Sequence, residues 1–91
     1  MAGLGSISVL DARGLVCPEP VLRTAKAMRS VDPGGTLTVL ATDPVASIDF
    51  PYYCHHAGLE FVSTSSIAEV LIFKIRKLKT SVQLASNRPI G

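Results

Sequence analysis

Cys17 lies in the run Cys17-Pro18-Glu19-Pro20, with Asp11-Ala12-Arg13-Gly14-Leu15-Val16 before it and a basic, helix-forming stretch over residues 21–29 after it. This spacing offers the chemistry of a thiol placed where a helix begins. Proline lacks an N–H and has a φ suited to the first helical turn, where backbone donors have no intrahelical acceptor. Pro18 and Pro20 are therefore tolerated there and would break a helix deeper in. With those two donors absent, the amides of Cys17 and Glu19 are expected near the sulfur, and the positive end of the helix dipole favours a thiolate. A free cysteine has a pKa of about 8.5. A helix N-terminus contributes roughly 0.3–1 kcal/mol, a shift of about one unit. Cys17 is thus expected to be partly ionised near neutral pH and nucleophilic, with Glu19 opposing this if its carboxylate turns toward the sulfur. The alternative is an inert cysteine buried at a helix cap, since free cysteine packs as a small hydrophobe. Exposure and surrounding charge decide between the two.

The other candidate groups carry less. Cys54 falls within an apolar helical pattern and reads as structural rather than as a resolving thiol. His55 and His56 adjoin it, but neighbours on a helix point in different directions and the set lacks metal-site spacing, so surface histidines are expected and no metal. Arg23, Lys26 and Arg29 step by three along one side of the helix that follows Cys17. They are either a solvated face or a docking surface for an acidic partner. Asp43, before Pro44, reads as an N-cap, and Asp49 as a structural or surface residue.

The elements that must hold these residues follow from periodicity. Residues 6–11 alternate as a strand, with Ile7 and Val9 on one face and Leu10 on the other. A helix is expected over residues 18–30, with Val21, Leu22, Ala25 and Met28 toward the core. Asp32-Pro33-Gly34-Gly35 is a turn by composition. A second strand follows over 36–42, with Leu37, Val39 and Ala41 on one face. The second helix starts at Asp43-Pro44 and ends at a Gly58 cap. Pro51 in its middle predicts a kink or a restart. Its two apolar sets, Val45-Ile48-Tyr52 and Phe50-Cys54-Ala57, predict an element that is largely buried. Residues 59–64 and 69–77 read as strands joined by a hairpin-like link at 65–68. Val70-Leu71-Ile72-Phe73 is apolar on both faces, which points first to core burial. Periodicity fades from Leu78 onward, so one domain over 1–78 and a flexible tail over 79–91 are expected.

Composition bounds the class. The chain has 91 residues, 47% hydrophobic and 18% charged, which suits one folded domain rather than a disordered segment. No apolar run approaches the ~18 residues of a membrane span, and residues 1–6 lack the pattern of a secretory signal, so a cytoplasmic protein is expected. Two cysteines are too few for a disulfide framework. The formal net charge of +2 comes from Lys79 and Arg88, because residues 1–78 hold seven Lys and Arg against seven Asp and Glu.

The order strand, helix, strand, helix, strand, strand, with Asp11-x-x-Gly14-Leu15-x-Cys17-Pro18-x-Pro20, resembles the TusA/SirA-type sulfur-carrier family. The likeness runs over about residues 6–77, through Gly35, Asp43-Pro44, Asp49-x-Pro51, Cys54, Gly58 and Ile75-Arg76-Lys77. It implies an α/β (α+β) two-layer sandwich, a four-stranded mixed sheet with both helices on one face. It further implies that Cys17 is the sulfur-accepting nucleophile, with Pro18, Glu19 and Pro20 as the supporting motif. In such proteins the thiol takes a sulfane sulfur from a donor such as a cysteine desulfurase or a rhodanese, holds it as a persulfide and passes it to an acceptor protein. That chemistry needs an accessible, ionisable sulfur and no metal or organic cofactor. The stretch 78–91 departs from the family, whose members end soon after the corresponding Arg-Lys.

Two other functions compete with sulfur transfer into tRNA thiolation, cofactor synthesis or sulfur oxidation. One is an RNA-binding module, because the fold looks like the C-terminal domain of a translation initiation factor; balanced charge over 1–78 and few aromatics argue against it. The other is a regulatory or interaction module in which Cys17 senses oxidation without transferring sulfur.

Overall fold

The computed structural model describes residues 7–78. The expectation of a flexible tail over 79–91 lies outside the described residues. Six elements follow one another: β1 (Ile7–Ala12), α1 (Glu19–Met28), β2 (Thr36–Ala41), α2 (Ala46–Ala57), β3 (Glu60–Ile67) and β4 (Val70–Arg76). They form a four-stranded sheet in the order β1-β2-β4-β3. β1 and β2 are parallel, as a helical crossover through α1 requires, and the other two pairings are antiparallel. The expected α+β sandwich with a mixed sheet is what the chain adopts.

The alternation read in the second strand is realised in β2, where Leu37, Val39 and Ala41 are buried and their neighbours are not. On the same face Phe73 and Ile75 of β4 complete the sheet's share of the core, and Ala46, Phe50 and Cys54 of α2 with Met28 of α1 cover it. Phe50 and Phe73 stack with ring centroids 4.6 Å apart and planes within 9°. Burying two such rings contributes several kcal/mol, roughly 1.5–3 per side chain. Within the run 70–73, Phe73 alone is fully buried; Leu71 packs beside the core, and Val70 and Ile72 are half-covered.

Several local expectations are corrected. In α1 the buried residues are Pro20, Thr24 and Met28, and Val21 packs beside the core as expected, but Leu22 is 56% exposed. Pro20 takes the first inward position, which rotates the core stripe by one residue. Thr24 is tolerated inside because its hydroxyl donates to the Pro20 carbonyl at 2.8 Å. Along β1 the two faces read from the sequence are realised, with Leu10 packed toward the core, Ala12 buried on the same side and Val9 65% exposed. The second helix begins at Ala46, because the turn from Asp43 closes through i→i−3 bonds from Ala46 to Asp43 and from Ser47 to Pro44. It neither stops nor restarts at Pro51. Pro51 and Ser47, whose carbonyl loses its partner to the proline, both lie on the exposed side, where solvent can serve that carbonyl. Nor is the helix largely buried: Val45, Ile48 and Tyr52 face outward. Gly58, at φ +73°, ends it in the left-handed conformation that glycine adopts without a Cβ penalty.

The β3–β4 connection is tighter than the expected link. Ser65 and Ser66 pair with Ile72 and Leu71, which leaves a two-residue turn at Ala68 and Glu69, both at positive φ. Such turns match the twist of the flanking strands, and here pairing over the whole hairpin overrides the absence of glycine.

Candidate functional site

The C-terminal ends of β1 and β2 meet the starts of α1 and α2 at one end of the sheet, and Cys17 lies there. Three contacts fix the loop that carries it. Arg13 closes a fork on Asp11, its Nε and a terminal nitrogen each donating at 2.8 Å, while its backbone amide donates to the same carboxylate at 3.1 Å. This holds the Asp11 carboxyl down at about 2. Gly14 follows at φ +82° and its amide donates to Thr42 Oγ1 at 2.9 Å. The Cys17 amide donates to Asp43 Oδ2 at 2.8 Å, and the other oxygen of Asp43 accepts from the Val45 amide at 3.0 Å. Asp43, read from the sequence as the helix N-cap, instead holds the turn that precedes α2, whose N-cap is Val45, and ties the start of α1 to that turn. Those two backbone donors lower its carboxyl pKa.

This arrangement corrects the expected electrostatics of the thiol. Neither amide counted on to favour the thiolate is available: that of Cys17 goes to Asp43, and that of Glu19 donates to the Val16 carbonyl at 2.9 Å. What faces the sulfur is negative. Partial burial, then the Asp49 carboxylate and then that of Asp43 push the Cys17 thiol up to about 11. The helix dipole, worth about one unit, does not offset them. Asp49, expected to be a structural or surface residue, is half-buried beside the reactive atom. Nothing in its spacing from Asp43 or Cys17 along the chain places it there; the fold brings it to the thiol.

The remaining candidates separate. Cys54 is 1% exposed, and burial raises its thiol to about 11 as well. His55 and His56 sit exposed in the last turn of α2. Arg23, Lys26 and Arg29 are exposed along α1, with Arg23 3.5 Å from Glu19. Pro18 and Glu19 are exposed, and Pro20 is buried under the first turn. Among the described residues no group of three or more His, Cys, Asp and Glu side chains is placed to hold a metal ion. A groove of about 420 Å³, lined by Thr42, Pro44, Ser66, Glu69 and Leu71, opens at the end of the sheet that bears the thiol. A larger one, about 600 Å³, lies at the opposite end between Gly34, Thr36, Glu60, Arg76, Lys77 and Leu78, away from both cysteines.

Fold and site together define a small α+β protein with one accessible thiol at a proline-bracketed helix start. The family model described as Sulfurtransferase TusA matches residues 8–77, and the chain belongs to that family. It is 43% identical over 70 residues to the sulfur carrier protein TusA of Pseudomonas paraeruginosa, covering 77% of this chain and 89% of that one. With the protein of the same name from Pseudomonas syringae pv. tomato it shares 41% over 70 residues, 77% of this chain and 83% of the relative. A SirA-like protein from Desulfitobacterium hafniense, known from a crystal structure, has the same fold at a TM-score of 0.66 and 27% identity, over 75% of this chain and 93% of that one. No helix among the described residues is long and apolar enough to cross a membrane.

Proposed function

We propose that this chain is a sulfur carrier that takes a sulfane sulfur onto Cys17 as a persulfide and passes it to an acceptor protein. The observation that carries this reading is the difference between its two cysteines. Cys17 is accessible at a helix start with its backbone anchored by Asp43, and Cys54 is sealed in the core. The names of its relatives support the same role.

In the transfer, the Cys17 sulfur attacks the outer sulfur of a donor persulfide. The donor's S–S bond breaks, a new S–S bond forms on Cys17, and the donor leaves as a thiolate that takes up a proton. Asp49 and Asp43 are the carboxylates that face the thiol whose proton must be released. A cysteine desulfurase or a rhodanese suits the donor role, and tRNA thiolation, cofactor synthesis or sulfur oxidation the receiving end. A reducing cytoplasm keeps such a thiol free. The exposed stripe Arg23, Lys26 and Arg29 steers acidic donor or acceptor surfaces, an effect that reversing these charges removes most at low salt.

Intact-mass and peptide mapping after incubation with a sulfane-sulfur donor tests the reading. Cys17→Ser is expected to gain no sulfur and pass none on, while Cys54→Ala does both. Sulfur found on Cys54 alone, or unimpaired transfer by Cys17→Ser, refutes it.

A further inference from the structure

Helix α2 turns an apolar stripe to solvent. Ala46, Phe50 and Cys54 take its inward side, while Val45, Ile48 and Tyr52, at i, i+3 and i+7, are 48%, 71% and 68% exposed. Single surface hydrophobics are ordinary, but two along one side of a 12-residue helix and a third at its N-cap, flanking Asp49 in the chain, make a surface. Val16, the residue before Cys17, is 70% exposed, and the ring of His56 lies 4.2 Å from that of Tyr52.

The charge beside the stripe has one sign and no counterpart. Salt bridges among the described residues join Arg13 to Asp11, Arg23 to Glu19 and Arg76 to Glu60; none reaches Asp43 or Asp49. Both carboxylates stand at the sulfur, Asp43 held by the Cys17 and Val45 amides and Asp49 half-buried, so negative charge gathers there with no salt-bridge partner among the described residues. We propose that Val45, Ile48 and Tyr52, together with Asp43 and Asp49, dock a partner protein surface in which apolar side chains surround a basic one. The proposal rests on Cys17 being the sulfur-bearing residue, since the partner's cation then arrives beside the atom that reacts. A cation there offsets the two carboxylates and favours the thiolate, so that docking and reactivity are coupled. The exposed cations of α1 have the opposite sign, and an interface with this polarity admits one orientation of the partner.

Thiol–disulfide exchange with short peptides tests the surface directly. Three probes carry a central cysteine as its 2-pyridyl disulfide, flanked by leucine and arginine, by serine and arginine, or by leucine and glutamate. The Cys17 sulfur attacks the peptide sulfur, and pyridine-2-thione leaves and is read by absorbance. With the native chain, the leucine–arginine probe is expected to react about threefold faster than either of the others at low salt, the scale of one weak surface contact. Ile48→Ser/Tyr52→Ser should abolish the preference for leucine and keep that for arginine, and Asp49→Asn should do the reverse. Thermal melts establish that each variant is folded. Equal rates with all three probes, or preferences unmoved by these substitutions, overturn the proposal. So does a concentration-dependent dimer in sedimentation that Ile48→Ser/Tyr52→Ser removes, because the stripe then serves a second copy of the chain. Exchange needs only the thiol, so failure of persulfide loading with these preferences intact refutes the sulfur-carrier reading instead.

Discussion

Replacing Asp49 by asparagine removes a negative charge from beside Cys17 while keeping the size of the side chain and an acceptor oxygen. With the thiol at about 11, the thiolate fraction at pH 7 is on the order of 10⁻⁴, against roughly 3% for an ordinary cysteine at about 8.5. Basicity returns part of that loss. Nucleophilicity per thiolate rises with a Brønsted slope of about 0.4–0.5, so ~2.5 units give back about tenfold and leave the native thiol roughly 30-fold slower than an ordinary one. Burial, the larger cause, survives the substitution, so Asp49→Asn is expected to lower the pKa by about one unit rather than to its ordinary value. That gives about tenfold more thiolate, each about threefold less nucleophilic, and a net gain of about threefold at pH 7. The assay is the rate of alkylation by iodoacetamide, a neutral reagent insensitive to local charge, from pH 6 to 10.5 in a Cys54→Ala background. The two profiles should converge as pH rises, with the variant ahead at neutral pH. A native midpoint at or below about 8.5, or a variant slower than the native chain at pH 7, would refute the reasoning and return control of the thiol to the helix dipole.

Asp43→Ala removes the acceptor shared by the Cys17 and Val45 amides, and should lower the melting temperature by roughly 4–8 °C in a thermal melt. Because its carboxyl pKa is depressed on folding, its contribution is present above the usual carboxylate range and is lost as pH falls through the folded value. In Asp43→Asn, acid denaturation curves should accordingly lose part of their slope. Phe50→Ala opens the core against Phe73 and should cost about 3–5 kcal/mol in urea denaturation, a large share of a small domain's stability. Cys54, whose thiol burial raises to about 11, contributes stability below its unfolded pKa that is lost as pH rises between the unfolded and folded values. Cys54→Ala should flatten that alkaline decline in denaturation midpoints measured from pH 8 to 11.

Local rules were enough to read much of this protein. Two prolines around Glu19 marked a helix start, Gly58 marked a helix end, and the placing of Leu37, Val39 and Ala41 at every second position marked the buried face of a strand, because each signal acts within one turn or one pleat. The run from Asp11 to Pro20 also carried the family resemblance, and with it the sheet and its two layers. What the linear order could not supply was the neighbourhood of the sulfur. Cys17 and Asp43 are 26 positions apart and are joined by a hydrogen bond that exists only because the parallel pairing of β1 with β2 brings both strand ends to one edge. The same pairing puts Asp49 at the thiol and reverses the charge that a helix start alone implies. Tertiary packing likewise chose which apolar side of α2 goes inward. Phe50 stacks on Phe73 and Cys54 fills the core, so Val45, Ile48 and Tyr52, equally apolar in sequence, are left facing water. Periodicity can find an apolar stripe, but only the position of the sheet decides which of two stripes it covers.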